Sequence, residues 1–113
     1  MRKSKYGARK TELDGMVFDS NHEARRYAYL KTLERAGEIS GLERQVKYIL
    51  VPAQAGGDGK IVERAVIYVA DFVYRDAHSG ETVVEDAKGM RTRDYIIKRK
   101  LMRYVHGIRI REV

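Results

Sequence analysis

The sequence predicts a mixed α/β (α+β) fold in which a mixed four-stranded sheet is flanked by two helices. Three observations predict it: two segments with helical spacing of apolar residues, three strand-like segments between them, and a last segment that alternates apolar and basic residues. The order is therefore helix, three antiparallel strands, helix, strand. Because a helix joins the last two strands, we expect them to be parallel. The 113 residues, 1–113, are expected to form a single domain.

The N-terminal residues 1–10 carry five basic side chains and no acid, which is typical of a flexible basic arm. Lys5, Arg9 and Lys10 of this arm are candidates for contact with a polyanion. In the next segment, 11–18, Asp14-Gly15 stands between two short apolar stretches and predicts a two-residue hairpin turn.

The segment 20–39 predicts the first helix, which Ser20 caps and Gly37 ends. Helical spacing places Glu23 on one stripe with Tyr27, Leu30 and Glu34. Arg25 and Arg26 should point elsewhere. Glu23 is thus a carboxylate on a mainly apolar face, near the helix start.

Three strand-like segments follow this helix. The segment 45–52 predicts a strand, and the glycine-rich 53–59 predicts an exposed turn. The segment 61–75 predicts one long strand or two strands in continuation. A turn at 76–81 then leads into 82–89, a short strand that returns antiparallel.

Residues 66–74 are apolar at odd and even positions, which predicts a central strand covered on both sides. The even positions are expected on one face: Val66, Tyr68, Ala70, Phe72 and Tyr74. Asp71 belongs to the other face, with Ile67, Val69 and Val73. Because burying an unpaired carboxylate is costly, Asp71 needs a cation or several hydrogen bonds.

Asp86 and Lys88 on the next strand are two residues apart and therefore project from the same face. If Asp76 pairs with Glu81 across the turn, counting along both strands places Asp71 opposite Asp86. Such neighbours have Cβ atoms about 4.5 to 5.5 Å apart, close enough to share one divalent ion. A slip of one residue would place Glu85 there instead.

The segment 92–107 predicts the second helix, with Ile97, Leu101, Tyr104 and Val105 as its buried side. A basic cluster lies on the other side and just before the helix: Arg91, Arg93, Arg99, Lys100 and Arg103. Such a cluster is either a solvated face or a surface that follows a phosphate backbone, and we favour the second.

The amino-acid composition limits the kinds of partner and of active site that the protein can have. The chain has 23 Lys and Arg against 16 Asp and Glu, a net charge of +7, so a polyanion is the expected partner. It has no Cys and only 3 His, which excludes a thiol nucleophile and argues against zinc. Carboxylate oxygens would instead bind Mg²⁺, or Mn²⁺ in its place. We expect a cytoplasmic protein without a membrane partner, because no apolar stretch is long enough to span a membrane.

These residues suit phosphodiester hydrolysis. A divalent ion held by Asp71 and Asp86 can polarise a phosphate oxygen and lower the pKa of a bound water. Lys88 can orient that water and stabilise developing charge. Glu23 could reach the same site through a water or a second ion.

The pattern Asp71, then Asp86-Ala87-Lys88, resembles the PD-(D/E)XK nuclease superfamily, whose restriction-endonuclease-like core has the same αβββαβ order. The stretches KYGARKTELDGMVFDSNHEARRY, LERAGEISGLERQ, YVADF and VVEDAKG also resemble small phage and prophage proteins of unknown function that are placed in this superfamily. The likeness covers nearly the whole chain. Ala70 stands where the motif's proline would be.

The resemblance implies a Mg²⁺-dependent DNA endonuclease in which Asp71 and Asp86 bind metal and Lys88 is the catalytic lysine. Glu23 matches the first-helix glutamate of many members, and Gln45 the glutamine that often follows near the first strand. Because Holliday-junction resolvases are among the small members, branched DNA in recombination or replication is the expected substrate. A homodimer is expected if two cuts are coordinated, and no small-molecule cofactor is expected.

Each assignment has a simpler alternative. Ser20 and Glu23 have capping-box spacing, so Glu23 could serve only to bond the Ser20 amide. Asp86 and Lys88 could be a surface ion pair, and Gln45 an ordinary strand residue. At the level of function, the alternatives are a nuclease-fold DNA-binding module without catalysis and a basic RNA-binding or ribosome-associated protein.

Overall fold

Two helices and a four-stranded sheet organise the part of the chain that the computed structural model describes, residues 10–87 and 90–113. Lys5, Arg9 and Lys88 lie outside these residues. The elements in chain order are β1 (Thr11–Leu13), β2 (Met16–Phe18), α1 (Asn21–Arg35), β3 (Ile39–Val51), β4 (Gln54–Ala55), β5 (Ile61–Glu63), β6 (Val66–Asp76), β7 (Thr82–Asp86), α2 (Arg93–His106) and β8 (Arg111–Glu112). The predicted mixed α+β fold is confirmed.

The main sheet has the strand order β3-β6-β7-β8. The first three strands are antiparallel neighbours, and β8 lies parallel to β7, as the helical connection predicts. Two small hairpins accompany this sheet. In the first, Asp14 and Gly15 take positive φ angles of 53° and 77° between β1 and β2, as a tight two-residue turn requires. The second, β4 with β5, is formed around the region that the sequence predicts as a plain exposed turn.

The register between β6 and β7 is the one that counting from the turn predicts. The Asp76 amide donates to the Glu81 carbonyl at 2.9 Å. Further along the strands, Phe72 is paired with Glu85. Continuing by one residue brings Asp71 beside Asp86 at the end of β7.

The first helix begins and ends where the sequence predicts. Ser20 is its N-cap, and its Oγ accepts from the Glu23 amide at 3.2 Å. Gly37, just beyond the C-cap, has a φ of 78°. The predicted direction of Arg26 is wrong, because its guanidinium turns towards the sheet to pair with Glu85, a buried carboxylate that needs a cation.

The second helix spans the predicted segment but packs through a different side. Tyr95 and Met102 are its buried residues, whereas Ile97 and Tyr104 are 57% and 88% exposed. Val105 is exposed as well, and Leu101 is only half-buried. The predicted buried stripe is therefore wrong. Both stripes carry apolar residues, and the helix packs by the one whose Tyr95 can also hydrogen-bond Glu112.

Two clusters of apolar side chains cover opposite faces of β6. Tyr68 and Ala70 belong to the cluster that includes α2, while Phe72 and Tyr74 belong to the one that includes α1. The central strand is thus covered on both sides, as predicted. The predicted single face for all even positions is wrong, because the alternation changes at Asp71. Opposite this change, Gln45 on β3 has a φ of 53°.

Neither helix of residues 10–87 and 90–113 combines the length and apolar character that crossing a bilayer requires.

Candidate active site

Asp71 lies where β6 changes faces, and the residue is 5% exposed. Its Oδ2 accepts from the amide of Ala87 at 2.7 Å, and its Oδ1 accepts from Gln45 Nε2 at 3.4 Å. Because Ala87 directly follows Asp86, the first bond ties the Asp71 carboxylate to the end of β7. The predicted need of Asp71 for hydrogen bonds is thus met, and Gln45 is one of its partners.

Glu23 reaches the same place from the start of α1. Its amide completes the cap with Ser20, but its carboxylate lies inside the fold, hydrogen-bonded to Asp71 and 3.5 Å from Arg44 Nη2. Burial, and next the charge of Asp71, raise the pKa of Glu23 to about 7. Near neutral pH, the Glu23 carboxyl group therefore still holds its proton in part of the molecules, next to the Asp71 carboxylate. This contact is more than the capping role alone would need.

Arg44 is a member of this group that the sequence reasoning missed. Its guanidinium lies 3.9 Å from the centre of the Phe18 ring and also faces Tyr27. Its buried Nε has no hydrogen-bond partner among the residues that the structure describes. The aromatic residues of β2 and α1 thus hold a cation beside Glu23. Arg44 directly precedes the strand predicted at 45–52, and nothing in that pattern indicates this placement.

Asp86 is also buried, and its Oδ2 accepts from the Tyr68 hydroxyl at 2.7 Å. Burial, together with this bond to Asp86, raises the pKa of the Tyr68 phenol, which therefore remains a proton donor. The apolar pattern of residues 66–74 predicts Tyr68 only as a core residue. A surface ion pair with Lys88 would not require Asp86 to be this deeply buried.

Glu85 has a separate role. It faces the α1 side and is fully buried, with both oxygens bound by Arg26 at 2.8 and 2.6 Å. The Tyr74 hydroxyl donates to the same carboxylate, and Arg111 donates to that hydroxyl at 3.3 Å. Since the register does not slip, Glu85 does not take the place of Asp86.

The structure brings Glu23, Asp71 and Gln45 into contact and places Asp86 on the neighbouring strand. Among residues 10–87 and 90–113, no three acidic or histidine side chains converge on one metal-sized position. Lys88 lies outside that part of the chain. Chemically, the paired carboxyls of Glu23 and Asp71 can share a proton or accept a cation in its place.

The predicted basic surface divides into paired and exposed members. Arg91 forms an ion pair with Glu112, and Arg99 Nη1 lies 3.3 Å from the same carboxylate. The other described members are all exposed: Lys10, Arg93, Lys100 and Arg103. Lys100 and Arg103 line a cleft together with Arg99 and Arg109.

Comparisons with curated proteins and with solved structures find no match to the chain. Residues 3–111 match the model of the family described as "Protein of unknown function (DUF1064)". Because this match covers nearly the whole sequence, the chain belongs to the DUF1064 family.

Proposed function

We propose that the protein is a Mg²⁺-dependent DNA endonuclease of the PD-(D/E)XK type, with Glu23, Asp71 and Asp86 as metal-binding acids and Lys88 as the catalytic lysine. One observation carries the proposal: the buried Asp71 carboxylate contacts Glu23 and is bonded to the backbone directly after Asp86. The acids of α1 and β6 are thus in contact, next to the end of β7, the strand that carries Asp86.

The donor atoms suit a hard divalent cation. Glu23 and Asp71 are 5% exposed, and burial, followed by the charge of Asp71, raises the pKa of Glu23 to about 7. A cation held by these carboxylates would offset their repulsion and take the place of the Glu23 proton. Oxygen ligands without any thiol select Mg²⁺ or Mn²⁺.

Each neighbouring group has a task in hydrolysis. The bound ion would supply Lewis acidity towards a phosphate oxygen and a more acidic water. Tyr68 fixes the Asp86 carboxylate by donating to Oδ2, and Gln45 does the same for Asp71. Lys88 would stabilise the charge that develops on the phosphate.

The substrate is a polyanion in this proposal because the net charge is +7. Its contacts would include Gln45 and the basic residues of the arm and of the α2 region: Lys5, Arg9, Lys10, Arg91, Arg93, Arg99, Lys100 and Arg103. We propose structured DNA, such as a branched junction, as the preferred form, cleaved in the cytoplasm of a bacterium that carries the phage or prophage gene. Two coordinated cuts would require a homodimer, since a chain of 113 residues is expected to offer one active site.

The test is cleavage of labelled four-way junction, flap, nicked duplex, linear duplex and single-stranded DNA, with Mg²⁺, Mn²⁺ or EDTA. Asp71→Asn and Asp86→Asn should each abolish metal-dependent cutting and leave DNA binding intact. Asp58→Asn makes the same change at an exposed turn and should cut like the wild type. Cutting that survives Asp71→Asn would refute the proposed site.

A DNA-binding protein without catalysis is the second candidate. It is favoured by the finding that no three ligand side chains converge in the described part of the chain. Mobility shifts without cleavage under every metal condition would support this candidate.

A further inference from the structure

A cleft of about 360 Å³ lies between the second half of α2 and the segment that leads into β8. Its lining residues are Arg99, Lys100, Arg103, Ile108, Arg109, Ile110 and Glu112. Ile110 is buried and Ile108 partly buried in the apolar cluster between α2 and the sheet. The floor of the cleft is therefore part of the core, while its rim is almost entirely cationic.

The charge of this cleft is strongly positive despite its one acid. Glu112 is bound by Tyr95, Arg91 and Arg99, and the Tyr95 hydrogen bond is the main cause of its lowered pKa. Lys100, Arg103 and Arg109 are exposed. None of these three has an acidic partner within the described residues, so they are available to an anionic ligand.

The cleft is connected to the candidate active site through the sheet and through two tyrosines. Glu112 on β8 is paired with Asp86 on β7. The Tyr95 hydroxyl donates to Glu112 at 2.7 Å, and the Tyr95 ring lies 6.5 Å from that of Tyr68. Tyr68 in turn donates to Asp86. A ligand in the cleft would therefore lie on the α2 side of the strand that carries Asp86.

We propose that this α2–β8 cleft binds the phosphate backbone of a DNA segment next to the cleavage site, with Lys100, Arg103 and Arg109 as its phosphate contacts. The inference rests on the proposed DNA substrate. Three exposed cations around one concave surface match successive phosphates better than a single small anion. Arg109 adds a planar group that can bind phosphate oxygens in pairs.

The test compares two charge-reversal variants in EDTA, which stops metal-dependent cutting. The cleft variant carries Lys100→Glu, Arg103→Glu and Arg109→Glu. The control variant carries Lys47→Glu, Lys60→Glu and Arg64→Glu at exposed positions. Lys47 lies on β3, the edge strand opposite β8, and Lys60 and Arg64 flank β5. Both lower the net charge equally. Affinity for labelled duplex and four-way junction is measured at several salt concentrations.

The cleft variant should bind at least tenfold more weakly than the control. Its slope of log K against log salt, which is negative, should be smaller in magnitude by roughly 3, because each lost phosphate contact removes about 0.9 from that magnitude for duplex DNA. Equal losses in both variants, or wild-type affinity in the cleft variant, would overturn the inference. Failure of the wild type to bind any DNA would overturn it as well.

Single neutral substitutions distinguish the loss of a phosphate contact from a folding defect. Lys100→Gln and Arg109→Gln should each reduce the magnitude of the salt slope by about 1 and leave the thermal unfolding midpoint unchanged.

Cleavage assays distinguish the failure of the proposed nuclease from the failure of the proposed cleft. DNA bound through the cleft but never cut would refute the nuclease and keep the cleft, whereas cutting with normal binding by the cleft variant would refute only the cleft.

Discussion

Arg26 on α1 donates two hydrogen bonds, 2.8 and 2.6 Å long, to the carboxylate of Glu85 on β7. Glu85 is fully buried, whereas the Arg26 side chain is 23% exposed. The pair joins the helix that carries Glu23 to the strand that carries Asp86. It therefore fixes the position of one candidate ligand relative to the other.

Arg26→Ala should lower the free energy of unfolding by about 3 to 5 kcal/mol, because it leaves the buried Glu85 carboxylate without its cation. Urea denaturation measures the loss. Arg25→Ala, one residue away on the exposed side of the helix, should stay within about 0.5 kcal/mol of the wild type. Combining Arg26→Met with Glu85→Leu should recover most of the stability, since no charge is then left buried. An unchanged midpoint for Arg26→Ala would contradict the structural role of the pair.

Glu23 should make the metal-free protein less stable as pH rises. Its pKa is about 7 in the folded state, against an ordinary value of 4.5, so the folded protein holds this proton more tightly than the unfolded chain. The resulting stabilisation is complete below pH 4.5 and is lost between pH 4.5 and about 7. Glu23→Gln cannot lose a proton there, so its stability relative to the wild type should increase from pH 5 to pH 8.

Thermal unfolding in EDTA across this pH range measures the effect of Glu23→Gln. Glu63→Gln, on the exposed strand β5, is the matched control and should follow the wild-type profile. A constant difference between Glu23→Gln and the wild type at all pH values would show that folding does not raise the pKa of Glu23.

Local signals in the sequence were sufficient for the two helices, for the β1–β2 hairpin and for the β6–β7 register. Ser20 and Gly37 bound α1 because capping depends on a few neighbouring residues. The turn at 76–81 sets the register because the number of turn residues determines which positions face each other. From these, the neighbourhood of Asp71 and Asp86 could be predicted.

Features that depend on tertiary packing could not be predicted in this way. In α2, apolar residues form two stripes, and periodicity cannot tell which one meets the sheet. The change of faces at Asp71 breaks the alternation on which a parity argument depends. Arg44 is placed by the Phe18 and Tyr27 rings, which are distant in sequence. No spacing rule connects these three residues.

Replacement of Gln45 by glycine should raise the stability of the protein and lower its cleavage activity. The φ of 53° at Gln45 lies in the left-handed region, which costs a residue with a side chain about 1 to 2 kcal/mol. Gln45→Gly should therefore raise the free energy of unfolding by about 1 kcal/mol, while the lost contact with Asp71 should lower DNA cleavage. Gln54→Gly, in the exposed strand β4, should instead lose about 0.5 to 1 kcal/mol. A destabilised Gln45→Gly would mean that its amide contributes more than the backbone conformation costs.

Tyr68→Phe tests whether the buried hydroxyl supports Asp86. The hydroxyl donates to a carboxylate in the core, and a hydrogen bond to a charged group contributes about 1.5 to 3 kcal/mol to stability. Urea denaturation should show a loss of this size, whereas Tyr104→Phe makes the same change on a side chain that is 88% exposed and should be neutral. If Asp86 binds metal, Mn²⁺ affinity should also fall 10- to 100-fold, as is typical when the residue that orients a ligand is removed. Normal Mn²⁺ affinity together with lowered stability would make Tyr68 a partner of Asp86 in folding alone, and would weaken the case for Asp86 as a ligand.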